Sequence, residues 1–228
     1  LIPRVFLALL ALLALACNRP SFLGLGYDVV GTPLKGATHL VFLLHGYGAP
    51  ARDLEGLART LRHDCPPGTR FVLVEGPLAA GAGRAWFKST EDVAETRHRL
   101  LDLVRSVARK ARVPASAVAV AGFSQGGMVA VDVALHAEPR LGAAVMMSGG
   151  PVPGNAWADL APKVAGTRFM VTHGSSDNVI PLSQGQAVRD LLEQAGHSVV
   201  FVETPGPHRI APEVVQALPG FLSVSLSR

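Results

Sequence analysis

The chain has 228 residues, 49% of them hydrophobic and 17% charged, with a formal net charge of +4 and two cysteines. That is apolar material for one sizeable core, and it argues against a disordered segment or a scaffold built on disulfides. The basic residues are scattered rather than gathered with aromatics, so a nucleic-acid surface finds no support.

At the N-terminus, Arg4 precedes an unbroken apolar run, 5–16, that ends in ALAC before NRP. The run is shorter than the ~20 residues that span a bilayer, which favours a signal peptide over a permanent membrane helix. The small residues leading into Cys17 resemble the lipobox of bacterial lipoproteins, although Ala14 stands where Leu is commoner. The resemblance implies a signal peptide over 1–17, a lipid on Cys17, and an exported protein tethered to the cell envelope. Membrane contact is then expected only through that anchor. Ordinary cleavage and secretion is the alternative. With Cys17 lipidated, Cys65 has no partner for a disulfide and is expected to be a buried, inert thiol.

Residues 18–36 read as a lead-in, either a tether or an edge strand. From 37 to 228, short apolar runs at 39–44, 70–74, 118–121, 143–147, 168–172 and 198–202 alternate with helical patterns near 53–63, 91–111, 126–137, 183–195 and 212–218. Strands that are apolar throughout suit a parallel sheet covered on both faces, and the helices supply the crossovers. The expectation is one doubly wound α/β domain. The densest basic stretch, 97–112, also carries Leu100, Leu101, Leu103, Val104 and Val107 at helical spacing, so it reads as the solvated face of a helix.

In such a sheet, ligands bind beyond the carboxyl ends of the strands. The loops there are HGYG after Leu44, FSQGG after Gly122, HGSSD after Thr172 and TPGPHR after Glu203. Ser124 lies between Gly122 and Gly126, after an apolar strand and before an amphipathic helix. A lone G-x-S-x-G can be an ordinary turn. This context is that of a nucleophile elbow, in which a tight turn lifts the hydroxyl above the sheet. The first N–H of the following helix, that of Gln125, has no intrahelical acceptor and is free to face negative charge.

A serine hydroxyl needs a base within hydrogen-bond reach and a carboxylate to orient that base. Among eight histidines, His39, His63, His98, His136 and His197 fall where structural roles suffice. His208 follows the last strand in a loop that can reach back over the sheet. His173 also sits at a strand end, but its place in HGSSD suits shaping that loop. Asp177 stands on a strand-end loop between the serine and His208, whereas Asp132 and Asp190 fall inside helices and Asp159 lacks an anchoring strand. The resulting order is Ser, Asp, His, as in α/β-hydrolases. HGYG is either a plain strand-to-helix turn or the source of a second backbone donor at Tyr47. Trp86, Phe87 and Trp157 are candidates for an apolar pocket wall or for ordinary packing. No Cys/His cluster has metal-ligand spacing and no G-x-G-x-x-G follows a strand, so no metal, nucleotide or other cofactor is expected.

Together, LVFLLHGYGAPARDLEGLA, RAWF, VAGFSQGGMVA, HGSSDNVIP with the later Gly185, and HRIAPE resemble the phospholipase/carboxylesterase family of α/β-hydrolases, which includes acyl-protein thioesterases. Their order and spacing run through most of residues 39–222. The resemblance implies Ser124, Asp177 and His208 as a triad, and the backbone N–H groups of Tyr47 and Gln125 as oxyanion donors. The chain departs from the family pattern at Pro207, where Gly is usual, and at Lys88 and Ser89, where Asp commonly follows RAWF. The expected function is a serine hydrolase acting on small-molecule esters, with thioesters as a second class. The alternatives are a lysophospholipase- or lipase-like activity on longer acyl chains and a catalytically silent envelope lipoprotein.

Overall fold

The computed structural model describes residues 20–227. The signal-peptide and lipidation expectations, Cys17 included, fall outside the described residues. The strands are β1 (Ser21–Phe22), β2 (Leu25–Gly31), β3 (His39–Leu44), β4 (Thr69–Val74), β5 (Leu78–Ala80), β6 (Gly83–Ala85), β7 (Val118–Phe123), β8 (Ala143–Met147), β9 (Arg168–Gly174) and β10 (Val199–Thr204). The helices are α1 (Glu55–Leu61), α2 (Thr90–Ala111), α3 (Gln125–His136), α4 (Trp157–Leu160), α5 (Leu182–Gln194) and α6 (Pro212–Leu226).

Eight strands form one sheet in the order β1-β2-β4-β3-β7-β8-β9-β10, and β5 with β6 forms a separate hairpin. The pairs from β4 to β10 are parallel, while β1–β2 and β2–β4 are antiparallel. Residues 21–31 are therefore edge strands of the sheet rather than a tether, and Leu25 is fully buried in the core.

Both faces of the strands are covered. Leu40, Phe42 and Leu44 point into the cluster built with α2, α3 and α5, and Val41 and Leu43 into the cluster built with α1 and α6. This two-residue alternation, apolar on both sides, is why the runs read as continuous hydrophobic stretches. Cys65 lies in the second cluster, where burial first and Asp64 second push its thiol up to about 11.

The sequence pattern places the end of the last helix at Leu218, before Pro219, yet α6 continues through Pro219 to Leu226. Proline removes one backbone donor inside a helix. Here the buried stripe Val214, Leu218, Leu222 and Leu226 packs on the sheet and holds the helix through it.

The register sets the site. Leu44 pairs with Val74 on one side and Gly122 on the other, Phe123 pairs with Met147, and Met147 pairs with Thr172. The carboxyl ends of the central strands thus lie in one row. Strand order reverses between β3 and β7, so α1 and α3 leave toward opposite faces, which makes the HGYG and FSQGG loops the switch point at which such sheets bind ligands.

Candidate active site

Ser124 joins β7 to α3 with φ 53° and ψ −123°, a backbone conformation that costs a non-glycine residue about 1–3 kcal/mol. Its N–H donates to Met147 C=O at 2.8 Å, and its own C=O accepts from the N–H groups of Gly127 at 2.9 Å and Met128 at 3.2 Å. Close packing enforces the turn. A Cβ on Gly122 would lie 2.3 Å from the Gly126 carbonyl, and one on Gly126 would lie 2.2 Å from Leu44 O and 2.5 Å from His45 O. These two glycines are required because backbone meets backbone there.

His208 Nδ1–H donates to Asp177 Oδ2 at 2.7 Å. An ionised carboxylate only accepts, so this bond leaves Nε2 as the free acceptor of the imidazole. Asp177 Oδ1 accepts from the N–H groups of Val179 and Ile180, both at 2.9 Å. Burial pushes the Asp177 carboxyl up, but the bonds from His208, Ile180 and Val179 together outweigh it and hold the group below its ordinary value. The His208 ring packs on Phe123, with centroids 4.8 Å apart, which brings the imidazole beside the residue that precedes Ser124.

His173 supports this arrangement from behind. Its Nε2–H donates to Ile180 C=O at 2.8 Å and lies 3.5 Å from Asp177 Oδ2, while its buried Nδ1 has no hydrogen-bond partner. A Cβ on Gly185 would lie 2.5 Å from that Nδ1, so the glycine lets α5 close onto the ring. His173 shapes the Asp177 loop, as its sequence position suggested.

The HGYG turn is held on three sides. His45, which sequence reasoning passed over, is fully buried; its Nδ1–H donates to Gly46 C=O at 2.7 Å and its Nε2 accepts from Gly76 N–H at 3.0 Å. Desolvation lowers its pKa, more than Gly46, Glu75 and Asp53 raise it, so the ring stays neutral and keeps these two roles. Gly46 C=O accepts from Ala49 N–H as well, at 3.2 Å. Pinning that carbonyl orients the same planar peptide's N–H, which belongs to Tyr47, in the opposite direction. The Tyr47 side chain is exposed. A Cβ on Gly46 would lie 3.6 Å from Ser124 Cβ, so turn and serine are in direct proximity. The β5–β6 hairpin presses on the same turn: Gly48 N–H donates to Arg84 C=O at 2.8 Å, and Arg84 N–H to Ala49 C=O at 3.1 Å. Gly83 is needed for that contact, since its Cβ would meet Gly48 O.

The side chain of Gln125 has a separate role. Its Oε1 accepts from Trp86 N–H and its Nε2 donates to Phe87 C=O, each at 2.8 Å and buried. This bidentate clamp ties the start of α3 to the RAWF segment. Burial favours the packing alternative for the three aromatics. Trp86 is fully buried and donates its indole N–H to His45 C=O at 2.7 Å. Trp157 is equally buried, with its indole N–H on Asp132 Oδ1 at 2.8 Å, in the core beside α3. Neither presents accessible surface to a substrate, and Phe87 exposes only 8%. All three aromatics spend their area on packing. Lys88 and Ser89 start a helix: Ser89 caps α2 in a capping box with Asp92, and Asp92 Oδ2 also accepts from Lys88 N–H at 2.8 Å. Among the described residues no group of three or more His, Cys, Asp or Glu side chains could hold a metal ion.

The model of the Phospholipase/Carboxylesterase family matches residues 25–226. The chain is 31% identical over 185 residues to esterase YpfH of Escherichia coli K12, covering 76% of each chain. It is also 31% identical over 120 residues to acyl-protein thioesterase 1 of Neurospora crassa, a match covering 51% of this chain and 49% of that protein, so it spans about half of that relative's length. Among solved structures, esterase PE8 superposes with a TM-score of 0.79 at 25% identity, over 90% of this chain and 100% of that one. The carboxylesterase of Mesorhizobium loti gives 0.77 at 20% identity over 90% and 97%, a likeness of fold. The profile takes in the edge strand β2 and the last helix alike: this chain belongs to the phospholipase/carboxylesterase family of α/β-hydrolases.

Proposed function

We propose that the chain is a serine hydrolase that cleaves carboxylic esters, and thioesters as a second class, through an acyl-enzyme on Ser124. One observation carries the reading: an ionised, thrice hydrogen-bonded Asp177 holds His208 by Nδ1, with the ring packed on Phe123 beside the strained elbow that bears Ser124. His208 Nε2 takes the Ser124 proton as Oγ attacks the acyl carbon. The N–H groups of Gln125, at the start of α3, and Tyr47, oriented by the pinned Gly46 carbonyl, receive the developing oxyanion. His208 then protonates the leaving group, and in the second half-reaction it activates water to release the acid and restore Ser124. Placement at the cell envelope through a lipid on Cys17 is the second part of the proposal, and it rests on the N-terminal residues alone.

A fluorophosphonate probe, followed by mapping of the labelled peptide, tests the first part. Wild type is expected to label at Ser124, and Ser124→Ala to lose labelling together with about 10⁶-fold of its turnover. Unlabelled wild type, or a mutant that keeps a tenth of the esterase rate, means that another group or no group is the nucleophile.

A further inference from the structure

Beside His208 runs a groove of about 430 Å³. Its walls include Leu57 on α1, Phe123, His208, Ile210 and Val215 on α6, and Asp53 and Arg209 bring opposite charges to it. The packing of the sheet does not need this opening, since Leu57, Ile210 and Val215 are only partly buried.

The chemistry of the reaction says which half of an ester belongs there, given the serine-hydrolase reading above. In acylation the bond between the acyl carbon and the alcohol oxygen breaks, and its electron pair stays on that oxygen. The oxygen takes the proton that His208 Nε2 removed from Ser124, while the acyl group remains on Ser124 Oγ. The leaving oxygen must therefore come within hydrogen-bond reach of Nε2, and the group attached to it departs on the imidazole side. The groove begins at that imidazole and at the Phe123 ring packed at a tilt against it, 4.8 Å between centroids. Tyr47 and Gln125, whose N–H groups are the proposed oxyanion donors, are not among the residues that line this opening. We infer that the groove is the leaving-group subsite, and that it selects esters of uncharged, apolar alcohols. Its floor of Leu57, Phe123, Ile210 and Val215 favours hydrocarbon. Asp53 and Arg209 together leave it without the net charge that would select an ionic alcohol.

The test uses two substrate series and one groove-filling variant. Ethyl, butyl and hexyl esters of butyric acid vary the alcohol at similar intrinsic reactivity; ethyl esters of acetic, butyric and hexanoic acid vary the acyl chain. For wild type, kcat/KM is expected to rise along the alcohol series by up to about fourfold per methylene buried. In Leu57→Trp the indole occupies the groove, and the hexyl-to-ethyl ratio should collapse toward one while the ratios along the acyl series are kept. Thr60→Trp, introduced from an exposed rim position, gives the same reading if Leu57→Trp does not fold. The inference is overturned if the variants change the acyl-series ratios and keep the alcohol ratios, which would put the acyl chain in the groove. It is equally overturned if wild type is indifferent to alcohol length. A wild type that a fluorophosphonate labels at Ser124 but that shows no alcohol dependence sinks this subsite alone. A wild type that does not label sinks the serine-hydrolase reading and the subsite with it.

Discussion

Truncating Gln125 to alanine separates the scaffold of the site from its chemistry. The backbone N–H proposed as an oxyanion donor survives the substitution, whereas the side chain's two bonds, from Trp86 N–H and to Phe87 C=O at 2.8 Å, are lost. Both partners sit in buried backbone behind the HGYG turn, where water does not replace the amide. Each buried group left without a partner costs roughly 1–3 kcal/mol, so the pair is expected to cost roughly 2–6 kcal/mol. For a chain of this size about 1 kcal/mol corresponds to about 2–4 °C, which predicts a fall in Tm of roughly 4–24 °C. Thermal and urea unfolding of Gln125→Ala and of Gln125→Met, which keeps much of the volume, measure this. Methionine should recover only the cavity part of the loss, because it restores neither bond. Well below its own Tm, the alanine protein should lose less activity than the ~10²–10³-fold typical of a missing oxyanion donor. A variant within about 0.5 kcal/mol of wild type, the range of ordinary surface substitutions, would refute the clamp.

Gly126→Ala sets a Cβ 2.2 Å from the Leu44 carbonyl oxygen, where backbone cannot rotate aside. It should cost at least the ~1–3 kcal/mol of an overpacked core, read from the urea midpoint, and an unchanged midpoint would show that the elbow can relax. For His45, burial lowers the folded pKa, so the unfolded chain binds the proton first as pH falls. The stability contributed by the neutral ring is then present above its ordinary value of ~6.5 and is lost below it, at up to about 1.4 kcal/mol per pH unit. The stability gap between wild type and His45→Gln should therefore shrink from pH 8 to pH 5, and a gap independent of pH would contradict the assigned tautomer. Lastly, the full chain expressed in a bacterium should sediment with membranes and resist salt extraction, since salt screens charge contacts but leaves apolar burial intact. Wild-type protein found soluble with Cys17 removed would replace the anchor with plain secretion.

Much of this molecule is legible in one dimension because burial leaves a periodic mark. The runs at 40–44, 118–121 and 143–147 are apolar at every position because both faces of each strand are covered, and β3, β7 and β8 lie where those runs fall. The glycines flanking Ser124 are legible for a related reason: a crossing of strand and helix at backbone distance admits no Cβ, and that demand shows as residue type. Ser124, Asp177 and His208 follow from a related logic, since each stands on a loop that leaves the carboxyl end of a strand. What local pattern does not carry is the identity of a polar group's partner. Gln125 finds Trp86 at a separation of 39 residues, and Trp86 finds the carbonyl of His45 at 41. Nothing in the neighbourhood of Trp86 distinguishes a buried strut from a pocket wall. His45 follows a strand just as the candidate loops do, yet its hold on the Gly46 peptide exists only once Gly76 has closed over its other nitrogen, 31 residues away. The tether or edge-strand choice for residues 21–31 likewise waited on β4, whose free edge they cover. Periodicity determined which residues are inside and which loops share one rim of the sheet, because each residue records its own burial. Only the tertiary structure decided who bonds to whom, because a hydrogen bond between distant segments is a property of their register and is written in neither segment alone.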